Sequence, residues 1–166
     1  MFGNLDTVPE LLKNYQFKTG EEHKYLGDYY RLMVEQSDQT GVLIENYNMI
    51  LAVQDIHSTS QKEFVLDMWY REQARDIFVD AMASAIVKAA PYKVSFPDLK
   101  IYRLGDRWGS CSPKSQRVIL NLELIKTPKE CIEYIALHEM LHFRFPNHNV
   151  SFYSALATLM SDWKER

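Results

Sequence analysis

The sequence predicts an α+β fold. Short β-rich runs separated by turn residues fill the first third. A long stretch of helical periodicity then follows, and strand character returns before a closing helical segment. At 166 residues, the length predicts a single domain over 1–166. Hydrophobic content of 46% and charged content of 25% match an ordinary globular chain and exclude collagen-like, low-complexity and disordered classes. Lys plus Arg is 19 against 22 for Asp plus Glu, a net charge of −3 that argues against nucleic-acid binding by bulk charge.

Residues 22–36 (EHKYLGDYYRLMVEQ) hold two β-rich runs around Gly27-Asp28. A turn signal at Ser37–Gly41 is followed by GVLIENY and MILAVQ, two further strands around Asn46–Asn48. Residues 15–54 are therefore expected to form an antiparallel meander. From Gln61 to Ala89 the period becomes helical. Ser60 with Glu63 fits a capping box, and Phe64, Met68, Arg71, Arg75, Phe78 and Met82 trace a mostly apolar stripe. Pro91 lacks an amide hydrogen and ends the helix. LKIYRL and RVILNL predict a small sheet, and the Gly/Ser/Pro-rich GDRWGSCSPKSQ between them reads as a loop. At Thr127-Pro128-Lys129-Glu130 a threonine cap, a first-position proline and a closing glutamate start another helix. A final helix is expected from near Asn149 or Ser151 to the end.

No apolar run reaches the ~18 residues a bilayer span needs. MFGNLDTVPELLKN lacks a basic region followed by an apolar one, so no signal peptide is expected. Cys111 and Cys131 are too few for a disulfide framework and read as reduced thiols of a cytoplasmic protein.

The chemistry concentrates at His138-Glu139-Met140-Leu141-His142, followed by Phe143-Arg144-Phe145-Pro146-Asn147-His148. Three of the five histidines lie in this stretch. Positions i and i+4 share a helix face about 6 Å apart along the axis, so both imidazoles can address one tetrahedral zinc at roughly 2.0–2.1 Å. Glu139 projects about 100° away, able to reach a metal-bound water without occupying the metal. The third ligand must come from outside this turn. His148 is the candidate, with Pro146 placed to end the helix and Asn147 to turn the chain. Glu123, Glu133 and Asp162 are weaker alternatives. The spacing equals the metzincin pattern, but Phe145 stands where that pattern has glycine. The competing reading makes His138 and His142 ordinary histidines of an amphipathic helix and His148 a surface-loop histidine; His23, in the strand-rich half, and His57, at a helix start, are read as ordinary histidines.

RWGSCSPKSQRVILNLELIKTP and CIEYIALHEMLHFRFPNHNVSFY resemble the YgjP-like metallopeptidase domain, a family of predicted zinc hydrolases. The likeness extends to EHKYLGDYYRL and DMWYREQAR. It implies a zincin-like fold: N-terminal antiparallel strands, a long helix, a small sheet, then the His-Glu-x-x-His helix and a C-terminal helix. It also implies one zinc ion per chain on His138, His142 and His148, Glu139 as catalytic carboxylate, and a peptide or protein substrate. The closing YSALATLMSDWKER matches the family's usual ending, so a complete domain is expected. A more distant relation to SprT/Spartan and WLM proteases points toward nucleic-acid-associated proteins.

Two segments stay open. In RWGSCS, Arg107 offers a rigid donor fork and Trp108 an apolar face, suiting substrate binding beside the metal. Gly109 permits unusual backbone angles. Alternatively, Trp108 plugs the core and Arg107 pairs with a helix carboxylate. Cys111 is a minor candidate for ligating zinc in an inhibited state. RVILNLEL reads either as an edge strand receiving an extended substrate, with Asn121 touching its backbone, or as an interior strand with a capping asparagine. The expected function is a zinc-dependent metallohydrolase, specifically a peptidase with Glu139 as general base. The alternatives are a non-catalytic zinc-stabilised binding module, and a protease of nucleic-acid-associated proteins using Arg103, Arg107, Lys114 and Arg117.

Overall fold

A computed structural model describes residues 15–166, so the signal-peptide reading of residues 1–14 lies outside the described residues. Four strands open the chain: β1 (Glu22–Tyr25), β2 (Asp28–Gln36), β3 (Gly41–Glu45) and β4 (Asn48–Val53). Each hairpin turns on two residues with positive φ, Leu26 and Gly27 (49° and 90°), then Asn46 and Tyr47 (47° and 62°). The expected meander needs correction. The strand order is β1-β2-β4-β3, and β2 pairs with β4 in parallel. Burial explains the order. Met49, Leu51 and Val53 of β4 are fully buried, whereas Leu43 of β3 is 60% exposed. The more apolar strand takes the interior place, and the Ser37 amide donates to the Val53 carbonyl (2.9 Å) as the chain crosses its end.

Helix α1 (Thr59–Lys88) runs for about 45 Å. Its cap is Ser58, whose hydroxyl accepts the Gln61 amide at 3.2 Å, and Ser60 lies inside the first turn. The buried stripe is also rotated from expectation. Leu66, Tyr70, Ala74, Phe78, Met82 and Ala85 face inward, while Phe64 and Met68 are 64% and 50% exposed. Arg71 and Arg75 share the expected stripe with them. Arg71 instead stays at the surface in an ion pair with Asp67 (2.6 Å), and the buried Tyr70 hydroxyl donates to the Lys24 carbonyl (2.8 Å). After α1, Pro91 lies in a single 3₁₀ turn at Ala90–Tyr92.

The second sheet contains β5 (Asp98–Tyr102), β6 (Gly109–Ser112) and β7 (Arg117–Asn121) in the order β5-β7-β6. The segment read as a loop therefore holds a strand. Its small polar residues carry no strand pattern of their own, but the antiparallel ladder to β7 pairs their backbone. This makes β7 interior, with β5 and β6 as edges.

A 3₁₀ turn at Leu122–Lys126 leads to α2 (Lys129–Leu141). Thr127 does not cap α2; its hydroxyl donates back to the Leu124 carbonyl (2.8 Å), and Pro128 takes the cap position. The helix also ends before Pro146: past Leu141 the amides of Phe143 and Arg144 bond three residues back, to the Met140 and Leu141 carbonyls (3.2 and 3.0 Å). Helix α3 (Val150–Leu159) is capped by Asn149 and stops short of the terminus.

Helix α1 packs against β3, β4, β5 and α2. Its Phe78 and, around it, Leu32, Leu120, Ile132, Leu137 and Phe152 are fully buried, each contributing about 1.5–3 kcal/mol. The tip of the first hairpin reaches the start of α2. Amides of Leu26 and Gly27 donate to the carbonyls of Ile125 and Lys126 (2.9 and 3.2 Å), and a Cβ on Gly27 would come within 2.9 Å of Pro128. Among the described residues no helix is long and apolar enough to cross a membrane.

Candidate metal centre

His138 lies in the last turn of α2, His142 at its C-cap, and His148 in the turn that precedes the Asn149 cap of α3. Their Nε2 atoms converge. His138 to His142 is 3.2 Å, His138 to His148 is 2.8 Å, and His142 to His148 is 3.0 Å. A tetrahedral ion with bonds of roughly 2.0–2.1 Å would hold such nitrogens about 3.3–3.4 Å apart. The three form a group able to hold a metal ion, and no fourth His, Cys, Asp or Glu joins them among the described residues.

The protonation pattern fits a cation. His142 Nδ1 lies 3.0 Å from the Phe145 carbonyl, which only an N–H can satisfy, so in the neutral ring Nε2 keeps its lone pair for the cluster. Burial lowers the His138 pKa to about 3, aided by the neighbouring His142 and His148. His142 is also lowered by burial, against the opposing bond to Phe145. The His138 and His142 rings are therefore uncharged near neutrality and present acceptors.

Phe152, missed by the sequence analysis, is the floor of the cluster. Its fully buried ring lies 4.9 Å from His138, 5.0 Å from His142 and 4.9 Å from His148. Its position four residues after His148, one turn into a capped helix, was the available signal.

Beside the cluster opens a cleft of about 440 Å³, lined on one side by Arg107 to Cys111 and on the other by Tyr134, Ile135, His138, Glu139 and His142. Glu139 lines it and is 6% exposed. Burial raises its carboxyl pKa to about 8, and Arg107 opposes that rise. Arg107 is largely exposed and pairs with its neighbour Asp106 (3.4 Å) rather than with a helix carboxylate. Trp108 is buried in the core while also lining the cleft, and its indole N–H meets no acceptor among the described residues.

Asn121 does not line the cleft. It is fully buried; its amide nitrogen donates to the carbonyls of Leu104 and Arg107, both at 2.9 Å, and its oxygen accepts the Glu123 amide at 3.0 Å. Of the two readings of RVILNLEL, the interior strand with a capping asparagine describes β7.

The remaining candidates lie elsewhere. Glu123 pairs with Arg103 and Lys126, while Glu133 and Asp162 both pair with Arg166. His23 is buried against Tyr15 and His57 is exposed at the start of α1. Cys111 is half-buried, and burial, reinforced by Glu139, pushes its thiol up to about 12. In the basic group, Arg103 is tied to Asp67 and Glu123, and Arg117 to Asp98.

The YgjP-like metallopeptidase domain model matches residues 4–166. The chain belongs to this family. As a YgjP-like metallopeptidase domain it is a metal-dependent peptidase, and among the described residues the three convergent imidazoles could hold a metal ion. Among solved structures it is similar to the metallopeptidase zymogen jannalysin of Methanocaldococcus jannaschii. That likeness has 22% identity and a TM-score of 0.46, over 53% of this chain and 81% of that one. No curated protein matches the sequence.

Proposed function

We propose that this YgjP-like domain is a zinc peptidase in which His138, His142 and His148 hold the ion and Glu139 is the general base. The observation that carries the reading is the meeting of three Nε2 atoms at one end of a cleft that a buried carboxyl also lines. Three imidazoles and an adjoining cleft suit a catalytic zinc, whereas structural sites close with four protein ligands. When bound, zinc supplies Lewis acidity toward the scissile carbonyl and makes water a nucleophile near neutral pH.

The protein's own groups do the rest. Glu139 takes the proton of the attacking water and returns it to the leaving amine. Burial, opposed by Arg107, gives it a higher proton affinity than an exposed carboxylate, and it acts as base in its ionised form. Strand β6 has one edge paired with β7 and the other unpaired among the described residues, so an extended peptide adds its backbone there. Arg107 and Trp108, at the head of that strand, contact substrate from the same side.

Elemental analysis of protein purified without added metal, joined to a peptide-library digest of wild type and Glu139→Gln, tests the reading. About one zinc per chain in both proteins, with cleavage abolished in Glu139→Gln, is the expected result. Wild-type cleavage by Glu139→Gln, or zinc retained after all three histidines are replaced, would overturn it.

A further inference from the structure

Gly109 stands where β6 meets the carboxyl of Glu139. It is not among the glycines with positive φ, so its backbone conformation does not require glycine. Space does. A Cβ at this position would lie 2.7 Å from Glu139 Oε1, 2.8 Å from its Cγ and 2.9 Å from its Cδ. At Gly105, four residues earlier in the same connection, an added Cβ meets nothing within 4 Å.

The backbones on both sides are held in place, so any room must come from the Glu139 side chain. Gly109 is opposite Leu120 in the β6–β7 ladder. The residues leading into it are gripped by the fully buried Asn121, whose side chain holds the Leu104 and Arg107 carbonyls (both 2.9 Å) and whose amide holds that of Trp108 (2.8 Å). Glu139 is carried on α2 between the fully buried Leu137, Met140 and Leu141.

We infer that Gly109 is a positioning residue: its bare backbone is the wall that seats the Glu139 carboxyl, and Asn121 holds that wall in place. The catalytic consequence rests on the proposed role of Glu139; the contact itself does not. A side chain at 109 forces the carboxyl aside, and displacements near 1 Å at a reacting group cost about 100-fold in rate.

A four-member set of the full-length, metal-free chain tests the contact: wild type, Gly109→Ala, Glu139→Ala and the double variant, with Gly105→Ala as control. Gly109→Ala should lower the thermal midpoint by roughly 3–6 °C beside Glu139. In the Glu139→Ala background the same change should cost less than about 1 °C, because the clashing atoms are gone. Gly105→Ala should leave the midpoint within about 1 °C. If Gly109→Ala does not fold, recovery of a cooperative melt in the double variant supports the inference, and failure to recover overturns it. Equal losses in both backgrounds also overturn it.

The positioning role is read on the zinc-loaded enzyme with a peptide that wild type cleaves. Gly109→Ala should lose about 100-fold in kcat, with KM within about twofold and metal content unchanged. A variant with wild-type kcat refutes that role. Absence of zinc or turnover in wild type would instead count against the zinc-peptidase reading, while the melting set still decides the contact.

Discussion

Glu139 sits in surroundings that resist its charge, and this has a measurable sign. Its pKa is raised from 4.5 to about 8 by burial. The stability that a neutral Glu139 contributes is thus present below 4.5 and lost as pH rises through about 8. Glu139→Gln removes the ionisation. In chelator, the variant should gain on wild type between about pH 5 and pH 8, by a few kcal/mol at most, since each pKa unit is worth about 1.4 kcal/mol. Urea midpoints across that range check it; a gap that stays constant with pH would show that the carboxyl is not held in its neutral form. Residues of this kind divide by how local their signal is. His138 and His142 announce themselves because helix geometry alone places them on one face, with Glu139 beside them, and His148 because Pro146 and Asn147 mark a return of the chain. Phe152 carries only its spacing from His148, and Gly109 no mark at all. A phenylalanine in a helix and a glycine among serines look ordinary until the tertiary fold brings one under three imidazoles and the other against a carboxyl.

At the scale of elements, capping gives a sharp contrast. Ser58 accepts the Gln61 amide and Ser60 does not cap the helix. Ser58→Ala should therefore destabilise the protein by about 1 kcal/mol, whereas Ser60→Ala should stay within about 0.5 kcal/mol of wild type. Chemical denaturation separates them, and the reverse order would move the start of α1 by two residues. The motif S-x-x-E was readable at Ser60, but a serine two residues earlier reached the orphan amide first. The strands show a similar limit. Periodicity marked the hairpins, yet an antiparallel meander and the observed parallel β2–β4 pairing bury the same residues of each strand. The choice depended on which neighbour covers β4, a long-range matter. Strand β6 was hidden for another reason: GSCS has no apolar alternation, and only the β7 ladder makes it extended.

At the scale of the whole molecule, the α+β class and the order of strands, long helix, small sheet and closing helices followed from changes of hydrophobic period along the chain. The relation between the two sheets did not, because it depends on backbone bonds between distant segments. The first hairpin's tip donates to Ile125 and Lys126, and Gly27, with φ of 90°, lies against Pro128 at the start of the helix that carries His138 and His142. Substituents larger than hydrogen at Gly27 meet both a backbone penalty and a collision with Pro128. A random-mutagenesis screen for lost proteolysis should consequently recover Gly27 lesions alongside those at the histidines. Mapped on the primary sequence alone, such hits would pass for damage to some unrelated region; their purified products should show lowered melting temperatures with every histidine codon intact.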